Sequence, residues 1–360
     1  MQRQLIAFVL SAILILFTGC TEVSRPDDGK QPPPPTTSIP TTSPPTSSPP
    51  ISTPPPPTTA TGIDSDRDGI PDHIEAELAS KFAPVVMLHP DDAYRPGDIS
   101  WYLERVRMRF DVRMGIDEQL LNLGQVNITS LVSQATKGFS SGLSPARTDF
   151  FLEQTDASGG DNLDAFRSQT RSGTAAAGWE CYVHVRPAPG MTGMIDVQYI
   201  FFYPYNGDLA PTDQLESAHE ADFEHITVRL ERGGSTIYRI FYSAHDTEGK
   251  WYGQATSAGA RDGYSLSADG RPVAYSSIDS HASYPWAGTW VRNNLPDDFT
   301  SGNGPVWDCG VSVVNLGEKE FPSGNAVWIQ YSGHWGEIGT VSFTTGPYGL
   351  AYQGWWELDR

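Results

Sequence analysis

From His225 to Leu230 apolar and polar side chains alternate, with Ile226, Val228 and Leu230 on one side and Thr227 and Arg229 on the other. A period of two marks a half-buried strand whose apolar side faces a core. Counting back along that side reaches Glu224 and then Asp222, so the strand carries two carboxylates in its core-facing register. A buried ionised carboxylate left unpaired costs on the order of 3–5 kcal/mol. A divalent cation shared with nearby His219, an arginine from elsewhere, or an acid/base pairing of the two carboxyls would each meet that demand. One imidazole with two carboxylates suits the cation best.

Similar β-rich runs span Trp179–Val185, Met194–Tyr203, Ile237–Ser243, Gly253–Ala255, Pro272–Tyr275, Ala326–Tyr331 and Ile338–Phe343. Turn pairs such as Gly233-Gly234, Asp262-Gly263 and Asp269-Gly270 separate them, which predicts a mainly β protein, a β-sandwich. Helical spacing is confined to Asp72–Phe82 and, more weakly, to Asp117–Leu123, Ile128–Thr136 and Arg147–Gln154. A few short helices are therefore expected beside the sheets.

The first residues predict export. Residues 1–19 hold one early cation, Arg3, and an apolar run too short to span a bilayer, ending in Thr18-Gly19-Cys20. This is similar to a bacterial lipobox, which implies a diacylated Cys20 as the mature N-terminus. Thr21 rather than Asp follows, which implies the outer membrane or cell surface in an organism with two membranes. Residues 20–62 then form a Pro/Thr/Ser stalk that has too little apolar content to bury a core and is expected to be disordered. As polyproline II, about forty residues at ~3.1 Å each would reach on the order of 100 Å.

Residues 63–80 are expected to be a calcium loop and a following helix. Asp64, Asp66, Asp68, Gly69, Ile70, Asp72 and Glu75 match the EF-hand loop spacing, with the Ile70 carbonyl as a ligand and Gly69 at the sharp turn. This resembles the single calcium loops of extracellular bacterial proteins and thrombospondin type 3 repeats, because stalk rather than helix precedes it. Residues 81–360 remain for the β-sandwich domain.

Cys181 and Cys309 are the two cysteines besides Cys20, and in an exported chain they predict one disulfide. A net charge of −19 excludes nucleic acid as a partner and simple attraction to anionic lipid.

Several segments resemble the vacuolar protein sorting-associated protein 62 family from about Lys81 to the end. They are Phe82-Ala83-Pro84-Val85-Val86-Met87-Leu88-His89-Pro90, Ile200-Phe201-Phe202-Tyr203-Pro204-Tyr205-Asn206-Gly207, Tyr242-Ser243-Ala244-His245, Ser280-His281-Ala282-Ser283-Tyr284-Pro285 and His334-Trp335-Gly336. The stretch Ala218-His219-Glu220-Ala221-Asp222-Phe223-Glu224 is also similar to the heptapeptide of the necrosis- and ethylene-inducing-peptide-like cytolysins. That resemblance implies a divalent cation (Ca, Mg, Mn or Zn) on His219, Asp222 and Glu224, with Asp208 as an upstream ligand, and a lipid head group as partner. Glu220 and Ala221 replace the Arg and second His of the heptapeptide, which departs from the lytic pattern.

His245 and His281 end β-rich runs, where loops build sites, and are candidate members of the same metal site. Neither zincin pattern is complete, since Phe223 and Ala221 stand where the missing histidines would be. The preferred reading is a metal-dependent surface module for a glycan or lipid head group. The alternatives are an extracellular metal-dependent hydrolase and a structural surface protein without ligand. Cys20→Ala is expected to move the protein from the membrane pellet to the soluble fraction, because no other long apolar segment follows. Continued co-sedimentation with membranes would contradict the anchor.

Overall fold

The computed structural model describes residues 62–111, 117–134, 150–154, 163–207, 218–253, 263–292, 296–339 and 342–358. The signal segment, Cys20, the stalk up to residue 61 and Asp208 lie outside them. In chain order the strands are β1 (Val85–Met87), β2 (Val106–Phe110), β3 (Glu118–Leu121), β4 (Phe150–Gln154), β5 (Cys181–Pro187), β6 (Ile195–Asn206), β7 (His219–Leu230) and β8 (Ile237–Tyr242). They continue as β9 (Lys250–Tyr252), β10 (Ser265–Leu266), β11 (Pro272–Ser276), β12 (Ser283–Tyr284), β13 (Gly288–Trp290), β14 (Asp298–Thr300), β15 (Val306–Asp308) and β16 (Val313–Asn315). Helix α1 (Asp72–Lys81) is the longest of a few short helices.

A central six-stranded sheet runs β16-β5-β6-β7-β8-β9, antiparallel except where β16 meets β5. A second sheet, β10-β11-β1-β15 with β12 on β11, faces it. Between them lie Val183, Val197, Tyr199, Phe201, Ile226, Val228 and Ile240 of one sheet against Val86, Ala274 and Trp307 of the other. The protein is thus mainly β, a sandwich. The opposite face of the central sheet is buried too: Tyr182, Ile200, Phe202 and Phe223 pack against β2, β4 and the C-terminal turns that carry Trp328, Trp335 and Trp356. A strand apolar on both faces reads as a continuous hydrophobic run, and β6 is written that way from Tyr199 to Tyr203.

Two segments with helical spacing are strands. Glu118–Leu121 and Phe150–Gln154 hydrogen-bond to opposite edges of β2. Pairing prevails there because it buries Phe150 and Leu152 while Glu153 takes Arg107 at 2.6 Å and Arg109 at 3.1 Å. Conversely, Ala326–Gln330 is a 3-10 turn rather than a strand, and Ser342–Thr344 is another. The strand expected over Gly253–Ala255 falls earlier, on Lys250–Tyr252, as the partner of β8; residues 254 and 255 are not among those described.

The expected disulfide is not formed. Cys181 and Cys309 are free thiols, both buried and in hydrogen-bond contact. Burial pushes the Cys309 thiol well up.

Strand β7 is also tied to the three-stranded sheet through Glu220. Its carboxylate accepts the Gln154 N–H at 2.9 Å and the Glu337 N–H at 3.3 Å, with Arg171 4.0 Å away. Burial is the main cause that pushes this carboxyl up to about 7 from an ordinary 4.5, against the lowering effect of the Gln154 hydrogen bond. Between those values the folded chain binds a proton that the unfolded chain has released. Stability therefore falls as pH rises from about 4.5 to about 7, by roughly 3 kcal/mol from this group. Glu220→Gln is expected to flatten that part of the stability-pH curve and to melt no lower than the parent at pH 8, as urea titrations at several pH values would show. An unchanged slope would remove Glu220 as its source.

Candidate ligand cavity

Strand β8 covers only the second half of β7, pairing Ile226 to Leu230. Among the described residues, His219 to Glu224 have a ladder partner on the β6 side alone. A cavity of about 960 Å³ wraps around that bare edge. Asp222 and Glu224 reach it from the sandwich-core side of the sheet, Phe223 and His225 from the other. Phe343, Tyr348, Tyr352 and Trp355 also line it, Trp355 stacked on His225 with centroids 4.1 Å apart, together with Asn206, Ser243, His245, Ser280 and Arg292.

Alternation places Asp222 and Glu224 where the sequence predicts, opposite Tyr203 and Phe201 and in line with Ile226. Asp222 Oδ2 accepts from His281 Nδ1 at 3.0 Å and from Asn206 Nδ2 at 3.4 Å. The His281 ring stacks on Tyr203, centroids 3.8 Å apart and planes within 3°, and its Nε2 lies 3.5 Å from Asp92 Oδ2. His281 is fully buried, so one imidazole stands between two carboxylates out of contact with water. Burial pushes the Asp92 carboxyl up, and the charge of His281 acts against it. Glu224 accepts a short hydrogen bond from Ser243 Oγ, which in turn accepts the His225 N–H at 2.9 Å.

His245 sits apart from Asp222. Its Nε2 donates to Asp298 Oδ2 at 2.7 Å, and Asp298 also accepts from Tyr284 at 2.6 Å and Ser280 at 2.7 Å. Burial alone would raise the Asp298 carboxyl, but His245 and the two hydroxyl donors prevail and hold it below its ordinary value. Arg292 closes this end, paired with Glu248 at 2.8 Å.

Four of the five non-glycine residues with left-handed backbone among those described are Ala221 (φ 57°), His245 (φ 42°), Asp279 (φ 62°) and His281 (φ 54°), all in or beside the cavity wall. At Ala221 the left-handed turn interrupts the β6–β7 pairing between Asp222 and Glu220, and it lets Glu220 turn toward Gln154 while Asp222 faces the core side. Such strain concentrates where surrounding structure over-determines a functional arrangement.

The predicted metal ligands divide into two groups. His219, Asp222 and Glu224 do not bring their donors together: His219 Nδ1 is bonded to the Ala221 carbonyl at 2.8 Å, and the carboxylates are engaged as described. Among the described residues, only Asp64, Asp66 and Asp68 gather three acidic or imidazole donors within 4.8 Å of one another. Asn206 and Ser243 lie inside segments whose resemblance the sequence displays, but nothing in the sequence singles them out. Trp355 belongs to the resemblance at the C-terminal end, whereas Asp298, Tyr348 and Tyr352 carry no pattern, because tertiary packing alone brings them to the cavity.

The family model of vacuolar protein sorting-associated protein 62 matches residues 163–345, half of the chain, spanning β5 to the C-terminal turns. No curated protein matches. Solved structures with some likeness include the necrosis and ethylene inducing protein 2 from the causal agent of cocoa's witches' broom disease. It is 14% identical with a TM-score of 0.31, covering 69% of this chain and 76% of that one. A structure described as a toxin fold for microbial attack and plant defense is 13% identical with a TM-score of 0.35, covering 81% and 96%. NLPPya in complex with glucosamine is 14% identical with a TM-score of 0.33, covering 75% and 85%. Likenesses this distant decide neither the fold nor the ligand. With a family model that runs through the central sheet, the four cavity histidines and the His334-Trp335-Gly336 turn, the chain belongs to the vacuolar protein sorting-associated protein 62 family.

Proposed function

We propose that this is an exported, lipid-anchored binding module whose cavity takes a sugar head group, presented by a free glycan or by a glycolipid. The observation that carries the reading is the cavity itself, lined by several aromatic rings and by two carboxylates. A sugar ring offers apolar C–H faces that stack on Trp355 or Tyr348, and hydroxyls that donate to carboxylates and accept from amides and hydroxyls. Asp222 suits such a ligand: His281 and Asn206 both bond its Oδ2, so a fixed carboxylate borders the cavity. A pre-positioned acceptor loses little entropy on binding. The cavity is large enough for a monosaccharide or disaccharide head group.

The test uses the full chain in detergent, screened on an array of neutral, amino and acidic sugars and on vesicles bearing the same sugars as glycolipids. Positive sugars are then titrated against Asp222→Asn and Trp355→Ala. Each variant is expected to bind roughly tenfold more weakly or worse while melting within a few degrees of the parent. Silence across array and vesicles, or variants that bind as well as the parent, would overturn the reading. Binding that chelation removes from Asp68→Asn, whose calcium loop is already disabled, as well as from the parent would place a second divalent metal beside Asp222 and Glu224. Hydrolysis of the bound sugar would replace the binding module by the extracellular hydrolase.

A further inference from the structure

Outside the cavity, the acidic loop before α1 and the first turn of α1 contain carboxylate oxygens whose burial the protein alone does not compensate. Asp66 is 2% exposed and Glu75 1%. Asp66 Oδ2, Asp68 Oδ2 and Glu75 Oε1 are buried without a hydrogen-bond partner. No lysine or arginine among the described residues pairs with them; Arg67, the nearest cation in sequence, lies over the Phe321 ring at 4.1 Å. The backbone curls around the cluster, since the Arg67 and Gly69 N–H groups both donate to Asp64, and Gly69 takes φ 95°. Asp64, Asp66 and Asp68 bring carboxylate oxygens within 4.8 Å of one another, Glu75 feels the charges of Asp66 and Asp68, and the orphaned oxygens among them are what an oxygen-seeking cation would satisfy.

One expected ligand is otherwise engaged. Asp72 accepts the Ser65 N–H and the Ser65 hydroxyl, each at 2.7 Å, with both of its oxygens. It braces the loop from outside. Glu75 does the reverse: its free oxygen belongs to the acidic cluster, while Oε2 accepts from Asn315 Nδ2 at 2.9 Å, across 240 positions of sequence. Asn315 ends β16, the edge strand of the central sheet. Ile70, in the middle of the loop, is buried in the sandwich core.

We infer that a calcium ion held by Asp64, Asp66, Asp68, the Ile70 carbonyl and Glu75, with Asp72 outside the coordination set, locks the loop onto the β16 edge through Glu75 and Asn315. The ion is then a joint between the N-terminal segment and the far end of the chain, and calcium stabilises the whole domain rather than the loop alone.

The full chain in detergent is melted in chelator, magnesium and calcium, and calcium affinity is measured by titration. Calcium is expected to raise the melting temperature by at least about 5 °C, a gain lost in Asp68→Asn and Glu75→Gln and kept in Asp72→Asn. Asn315→Ala should weaken calcium binding about fivefold, the effect of one hydrogen bond. Equal melting of the parent in calcium and chelator would overturn the site, whatever the variants do. A gain lost as fully in Asp72→Asn as in Asp68→Asn would overturn the ligand set, and an affinity unchanged by Asn315→Ala would overturn the joint.

Discussion

Everything at the cavity depends on one constraint: β7 keeps its alternation back to Asp222, beyond the end of its neighbour β8, before left-handed Ala221 breaks it. Alternation carries Asp222 and Glu224 into the same register as Ile226 and Val228, where water is scarce. Because β8 stops opposite Ile226, those carboxylates face a cavity instead of a closed core. The cost of placing them there is offset by specific donors, His281 and Asn206 for Asp222 and Ser243 for Glu224. His281 can serve only because its backbone is left-handed and its ring is stacked on Tyr203, with Asp92 behind it. The strain is concentrated in residues 221, 245, 279 and 281, and the rigid sheet around them holds it.

The same principle operates at the two acidic centres of the molecule, with opposite solutions. In the cavity, hydrogen-bond donors from the protein meet Asp222 and Glu224. In the loop at Asp64 to Glu75 the protein leaves Asp66, Asp68 and Glu75 each with an oxygen unmet. Burial pushes Asp68 up to about 7 and Glu75 to about 8, which is the electrostatic price of keeping them together without a cation. Buried Asp196 shows a third solution, a bidentate pair with Arg229 at 2.6 Å.

Much of this was legible in the sequence because it rests on local periodicity. The facing of Asp222 and Glu224 followed from Ile226, Val228 and Leu230, and the sandwich followed from short β-rich runs between glycine turns. What the sequence hid depends on long-range pairing. Phe150–Gln154 has helical spacing but lies beside β2, and Ala326–Gln330 has strand-like composition but curls to bury Trp328 and Ile329. His281 was a candidate member of the Asp222 site in the sequence, but the hydrogen bond that joins them across 59 positions, at 3.0 Å, comes only from the fold. Asp72 matched the calcium spacing yet bonds Ser65, because spacing fixes where a side chain starts and not where it turns.

The most direct measurement is a crystal structure of the protein with a sugar that it binds in solution. The account predicts the sugar ring against Trp355 or Tyr348, with a hydroxyl within hydrogen-bond distance of the Asp222 carboxylate and His281 still bonded to Oδ2. A sugar seated on any other face, with the bare edge of β7 untouched, would contradict it.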